Sequence, residues 1–176
     1  MPSSTYTLIK SDTLTSSAAS YTFTAIPSTY TDLVVRFTGR LDGGAGGGVS
    51  VIRLNSSALS MSVTYIYTNY SYTLTSSMDS ASTTAAVGYI NDGGSTSNTF
   101  SNSEIYIPNY SVAGVKKQVS TIGGMEYDAS AFNYGFWSAL QVIDTAAITS
   151  IELDSVTGGS NFVSGSSFYL YGISKS

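Results

Sequence analysis

The residues of this chain that could do chemistry are two pairs of carboxylates. Glu126 with Asp128, and Glu152 with Asp154, are spaced so that each pair shares one face of a strand. A glycoside hydrolase needs two carboxyl groups about 5 to 10 Å apart in a cleft, and both pairs could reach that separation. Both lie at the ends of predicted strands, where acidic residues usually face solvent. We therefore interpret them as surface groups and keep a carboxylate-dependent glycan hydrolase as a minor alternative.

The chain lacks the side chains that most other enzymatic sites require. The chain contains no His and no Cys, which removes Ser-His-Asp and Cys-His triads and thiolate or imidazole zinc sites. Asp42 and Asp92 each precede two glycines, but the alternating Asp/Asn series of a calcium loop is missing, so both are interpreted as turn residues. The glycine run Gly43–Gly48 is interpreted as a flexible loop. We predict no enzymatic activity, no metal and no cofactor.

The tyrosines are the most prominent group of candidate contact residues. Tyr65, Tyr67, Tyr70 and Tyr72 recur in one alternating segment. Their rings could stack on sugars, with Ser and Asn side chains completing a glycan site, but Tyr is equally the residue of strand pairs and subunit interfaces. Core or interface packing and glycan contact both stay open for these four residues.

Charge and the N-terminus limit the possible partners. The net charge is -4, and the one basic cluster is Lys116–Lys117, which argues against nucleic acid because that partner demands a Lys/Arg footprint. No apolar stretch approaches the roughly 20 residues of a membrane span, and the first residues show no signal-peptide pattern. We expect no nucleic-acid or membrane partner and synthesis in a cytoplasm.

The elements that would position these residues are short strands. Apolar and hydroxyl-bearing residues alternate in many short runs bounded by Gly, Asn or Asp, with no helical periodicity. The predicted strands are Tyr6–Leu14, Tyr21–Thr24, Thr31–Thr38, Val49–Leu54, Ser62–Thr75, Ala85–Ile90, Ser103–Ile107, Lys116–Ile122, Phe132–Ile143, Ile148–Leu153 and Ser167–Ile173. Ser76–Thr84 is predicted to be irregular, and Gly123–Gly124 to separate two strands.

The clearest half-buried strand is Thr31–Thr38, which places Leu33, Val35 and Phe37 on one face and Arg36 on the other. About ten such strands at even spacing predict an all-β fold, an antiparallel, jelly-roll-like β-sandwich. The 176 residues are enough for one such core, so residues 1–176 are predicted to form a single domain.

The composition favours assembly. Charged residues make up 10% of the chain, while Ser and Thr together number 54. A typical monomer keeps itself soluble with a surface that is about a quarter to a third charged. We therefore expect part of this surface to be buried in a homo-oligomer.

Four segments carry a resemblance to a known group of proteins. They are Tyr21–Val34, Ile105–Tyr110, Ala146–Ile151 and Gly165–Ile173. Together they resemble the small β-rich virion proteins of tailed bacteriophages, particularly from aquatic hosts. The resemblance implies a jelly-roll-like subunit, often a trimer, that serves as capsid decoration or as a tail-fibre component.

Two functions follow as hypotheses. The first is a capsid decoration or cement protein, which would bind between subunits of the major capsid protein and stabilise the capsid through many modest contacts. The alternative is a tail-fibre or receptor-binding component that recognises host surface glycans. Both place the protein in the virion as a homo-oligomer, with a trimer expected.

Overall fold

The structure is a computed structural model that describes residues 5–44, 47–56, 59–68, 73–127, 132–156 and 160–174. Within those ranges twelve strands form and no helix is long and apolar enough to cross a membrane. The strands are β1 (Tyr6–Thr13), β2 (Tyr21–Phe23), β3 (Asp32–Gly39), β4 (Gly48–Leu54), β5 (Met61–Thr68), β6 (Leu74–Ser82), β7 (Ala85–Ile90), β8 (Ser101–Pro108), β9 (Lys117–Tyr127), β10 (Phe132–Val142), β11 (Ile151–Ser155) and β12 (Ser167–Ile173).

These strands form two antiparallel sheets of unequal width. The large sheet has eight strands in the order β1-β12-β3-β8-β9-β10-β5-β6, and the small sheet has four in the order β2-β11-β4-β7. The sheets enclose one hydrophobic core. The predicted antiparallel β-sandwich is confirmed, with twelve strands where the sequence predicted about ten.

Period-two alternation builds the core. In β3, Leu33, Val35 and Phe37 are buried while Arg36 is exposed, as the sequence predicted. Phe168 on the neighbouring strand β12 stacks on Tyr21 of the small sheet, with ring centroids 4.3 Å apart. Alternation therefore assigns one face of each central strand to the core, and leaves the other face of the large sheet pointing away from the small sheet. We call this second surface the outer face.

The prediction for Ser76–Thr84 was wrong, because most of that segment belongs to β6. The predicted single run Ser62–Thr75 is also divided, since β5 ends at Thr68 and β6 begins at Leu74. β6 pairs with β5 along its length. Apolar and polar residues do not alternate in β6, because this strand lies at the sheet edge. The signal that identifies half-buried strands is therefore missing there.

The prediction that Gly123 and Gly124 separate two strands was wrong, because both residues lie inside β9. A Cβ at Gly123 would lie 2.6 Å from Ser103 Oγ and 2.8 Å from the Asn102 carbonyl oxygen. The close approach of β8 therefore explains a glycine inside this strand.

The two outermost strands of the large sheet extend beyond the core. All side chains of β1 are exposed except that of Ile9, which is half-buried. In β6, Leu74 and the side chains from Ser76 to Ser80 are exposed. Apart from Ile9, which packs against the core, the side chains of β1 are open to solvent on both faces, and no described strand pairs with the outer edge of β1 or β6.

Candidate functional site

The outer face of the large sheet presents side chains in rows that run across the strands. The strand register places one row, which we call the central row, across all eight strands. From β1 to β6 its members are Ser11, Tyr169, Arg36, Glu104, Ile122, Trp137, Ile66 and Ser76. Between a serine at each end, aromatic, charged and aliphatic side chains therefore share one line perpendicular to the strands.

The adjacent row has much smaller side chains. From β1 to β10 it consists of Thr13, Ser167, Thr38, Asn102, Gly124 and Gly135. Between the large side chains of the central row and this low row lies a depression of about 640 Å³, which we call the outer trough. Its outward-facing lining comprises Arg36, Thr38, Asn102, Glu104, Ile122, Gly124, Trp137, Tyr169 and Tyr171. That volume is in the range of small-molecule sites in proteins.

Trp137 stands at the β10 end of the outer trough. It is 43% exposed, although its neighbours Phe136 and Ser138 on β10 are buried. A Cβ at Gly135 would lie 2.6 Å from Trp137 Cη2 and 2.9 Å from Cζ3. The six-membered ring of the indole thus occupies the space above Gly135, which is open only because this residue has no side chain.

The polar groups of the trough lie between its two ends, on β3 and β8. Arg36 Nε donates a hydrogen bond to Glu104 Oε2 at 2.6 Å, and the guanidinium carbon lies 6.0 Å from the centre of the Tyr171 ring. Hydrogen bonding to Glu104 raises the pKa of Arg36. Both side chains are about half exposed, so the ion pair offers its remaining donors and acceptors to the trough.

The trough continues past Trp137 into a second depression of about 490 Å³. Asn102, Gly124 and Trp137 line both parts, and Glu126 and Tyr134 line the second. The indole therefore stands between two connected sections of one open surface.

The tyrosines predicted as contact residues lie elsewhere. Tyr65 and Tyr67 are half-buried on the inner side of β5, where Tyr65 stacks on Phe136 at 5.7 Å and Tyr67 meets Tyr89 edge-on at 5.6 Å. Tyr70 and Tyr72 lie outside the described residues.

Together with Tyr134, which contacts Tyr89 at 4.8 Å, these rings form a group that we call the inner aromatic cluster: Tyr65, Tyr67, Tyr89, Tyr134 and Phe136. Burial, reinforced by the neighbouring tyrosines, raises the pKa of Tyr89 to about 12. Tyr65 and Tyr67 are thereby separated from the outer trough by the sheet itself.

Both candidate carboxylate pairs have local partners. Arg53 Nη1 bridges Glu152 and Asp154, which gives that pair a shared cation rather than an open cleft. Thr96 and Thr99 donate their hydroxyl hydrogen bonds to Glu126. Its predicted companion Asp128 lies outside the described residues.

The aspartates before the glycine pairs stabilise loops. Asp92 is buried, and its carboxylate accepts hydrogen bonds from the backbone N–H groups of Gly47 and Gly94. Asp42 accepts one from the Asn161 N–H. In the described ranges, no group of three or more His, Cys, Asp or Glu side chains could hold a metal ion.

The basic pair predicted from the sequence is divided by burial. Lys116 is exposed, but Lys117 is buried, and its ammonium group donates to the carbonyl oxygens of Val115, Thr145 and Ala146. Desolvation lowers the pKa of Lys117. Of the two lysines, only Lys116 therefore exposes its charge to a ligand.

One residue type in the sequence marks the outer trough, but the selection of contact residues by tyrosine content missed it. Trp137 is the single tryptophan of the chain, and it follows a glycine and a phenylalanine in a strand whose other positions alternate. The Arg36–Glu104 pair could not be found in this way, because the two residues are distant in sequence and meet only through the β3–β8 register.

Comparison of this chain with family models, with curated proteins and with solved structures found no match.

Proposed function

We propose that this protein is a non-enzymatic structural subunit of a virion, a decoration or cement protein that acts by binding copies of itself and the major capsid protein. The observation that carries this proposal is the exposure of both edge strands of the large sheet. A long strand with an open edge and apolar side chains is a template for association unless it is blocked. Here both edge strands carry exposed apolar side chains, and the two most exposed large hydrophobic residues of the described ranges, Leu74 and Met78, lie on β6.

The two edge strands offer a partner both apolar side chains and backbone hydrogen-bonding groups. Tyr6 and Leu8 on β1 are 50% and 51% exposed, and Leu74 and Met78 on β6 are 65% and 69% exposed. The backbone N–H and C=O groups along the outer edges add hydrogen-bonding capacity. A second copy that packs against these strands would cover both, so we infer that the edges are the contacts of a homo-oligomer, with a trimer expected.

The small number of charges supports the same proposal. Only 10% of the residues are charged, and the charge that exists is partly paired, as in the group of Arg53, Glu152 and Asp154. Little electrostatic repulsion therefore opposes close packing of several copies. The pairing of these carboxylates also supports a protein without hydrolase activity.

The self-association part is tested by light scattering on the purified protein and on variants that place a charge at one edge. The wild-type chain is expected to form one discrete oligomer. Leu8→Lys or Met78→Lys should shift it toward monomer, because each would bury an unpaired ammonium group. Val156→Lys is the matched control, since Val156 is also exposed but lies outside both edge strands. A wild-type protein that stays monomeric at all accessible concentrations contradicts the proposal.

The capsid part is tested by mixing the oligomer with emptied capsids that lack it. Binding in a fixed stoichiometry, with increased resistance of the capsids to heat, is the expected result. An oligomer that ignores capsids but binds tails would instead favour the alternative, a tail-fibre or receptor-binding component. An oligomer that binds neither particle removes the virion assignment and leaves only the self-association.

A further inference from the structure

We propose that the outer trough is a binding site for a neutral carbohydrate chain. This inference goes beyond the assembly function and does not depend on it, because the trough is lined by the inner strands from β12 to β10 while the proposed subunit contacts lie on the edge strands β1 and β6.

Aromatic rings supply flat apolar surfaces at both ends of the trough. Trp137 stands on β10 with its indole over Gly135, and the half-buried Tyr169 and Tyr171 stand at the other end on β12. A pyranose ring has one or two faces formed by C–H groups, and these pack on aromatic rings that keep a polar rim in water. Rings at the two ends of the trough can therefore hold separate sugar rings of one chain.

The floor supplies hydrogen-bonding groups of both kinds. Asn102 carries an amide that donates and accepts, Thr38 carries a hydroxyl, and the Arg36–Glu104 pair adds cationic donors beside carboxylate acceptors. Sugar hydroxyls both donate and accept, so they can satisfy all of these groups at once. A purely apolar ligand would leave the same groups desolvated and unpaired.

Other ligand classes fit the trough less well. The single arginine of the trough is neutralised by Glu104, so a phosphate or polyanion finds no net positive charge there. A peptide cannot join by strand addition, because the backbone groups of these central strands are already used in the sheet ladders. A neutral, hydroxyl-rich chain is the class whose chemistry matches both the aromatic ends and the polar groups between them.

The dimensions indicate an oligosaccharide rather than a single sugar. The lining extends from Tyr169 on β12 through β3, β8 and β9 to Trp137 on β10. Four strand spacings correspond to roughly 19 Å. The second depression beyond Trp137 lengthens the surface further.

Trp137 provides a direct readout, because it is the single tryptophan of the chain. Its fluorescence would be followed while the intact protein is titrated with gluco-, galacto-, manno- and N-acetylglucosamine-based hexasaccharides and their monosaccharides. The expected result is a saturable spectral shift with at least one hexasaccharide and a much weaker one with the matching monosaccharide. No shift with any member of the panel overturns the proposal.

Variants separate the trough from other surfaces, with binding measured by calorimetry. Trp137→Ala and Asn102→Ala should each weaken binding by about tenfold or more. Ile143→Ala is the control, since Ile143 is exposed just beyond the C-terminal end of β10 and does not line the trough. Unchanged far-ultraviolet circular dichroism shows that the variants are folded. Unchanged affinity in Trp137→Ala overturns the assignment of the site.

The oligomer measurement keeps this proposal apart from the assembly function. If the fluorescence shifts with protein concentration alone, the trough is a subunit contact and the carbohydrate proposal is wrong. A stable oligomer that binds no hexasaccharide contradicts only the carbohydrate site. A monomer that binds one contradicts only the assembly.

Discussion

Two neighbouring residues of β10 end in opposite surroundings. Phe136 is 2% exposed and packs in the inner aromatic cluster, where its ring stacks on Tyr65. Trp137 is 43% exposed and stands on the outer face above Gly135. Only the thickness of the sheet separates the two rings. The Phe136 ring is packed against other aromatic rings, whereas the Trp137 ring is available to a ligand. The position in the strand, rather than the number of aromatic residues, therefore decides which rings can bind.

The largest expected effect comes from truncating each of these two rings in turn. Phe136→Ala should lower the free energy of unfolding by about 3–5 kcal/mol, because it leaves a cavity in a packed cluster. Trp137→Ala should cost about 1 kcal/mol, since much of the indole is already in water. Urea denaturation with unchanged slopes measures both values.

Equal losses for the two variants would contradict this division of roles. A large loss for Trp137→Ala would mean that the indole belongs to the packed structure. The carbohydrate test would then need the milder variant Asn102→Ala.

A smaller effect is expected from the hydroxyl groups of the inner aromatic cluster. Burial raises the pKa of Tyr89 from 10.0 to about 12. As pH rises through this interval, the unfolded chain loses the Tyr89 proton first while the folded protein retains it. Stability is therefore present below about pH 10 and falls between pH 10 and 12. Because the residue is only half-buried, we expect a loss of about 1 kcal/mol or less.

Comparison with Tyr89→Phe isolates this contribution from those of the other tyrosines. The variant should lose less stability than the wild type between pH 10 and 12, when urea midpoints are measured at each pH. Identical pH profiles would show that the phenol of Tyr89 is solvated like an ordinary one.

The strands that could be predicted from the sequence are those with one buried face and one exposed face. The strand β3 could be predicted because its two faces have different surroundings, with Leu33, Val35 and Phe37 facing the core. Arg36 and Thr38 on the other face are exposed, and the buried Val34 is the exception there. β6 could not be predicted, because both of its faces meet water and its residues carry no such contrast. The division of strands into a large and a small sheet depends on pairings between distant segments, such as β3 with β12, which no local pattern records.

The candidate site was less predictable than the fold for a related reason. The four tyrosines were selected by their frequency in one segment, and Tyr65 and Tyr67 face the inner side of the sheet. The outer trough is assembled from one or two residues on each of five strands. Only Trp137 was conspicuous in the sequence by its type, whereas the glycines that shape the trough resembled turn residues.

The smallest expected effect concerns the ion pair on the outer face. Arg36 and Glu104 are both about half exposed, so removing the pair by Arg36→Gln should change the free energy of unfolding by about 0.5 kcal/mol or less, and salt should reduce that further. Arg53→Gln is the matched comparison on the small sheet. Arg53 is less exposed, and its loss would leave Glu152 and Asp154 facing each other without a cation.

We therefore expect a larger loss for Arg53→Gln than for Arg36→Gln when both are unfolded in urea at low salt. The reverse order would show that the Arg36–Glu104 pair supports the sheet. In the expected order, the outer pair contributes little to folding, so its side chains can exchange their mutual hydrogen bond for one to a ligand at small cost in stability. That property suits a floor group of a binding trough better than a structural ion pair.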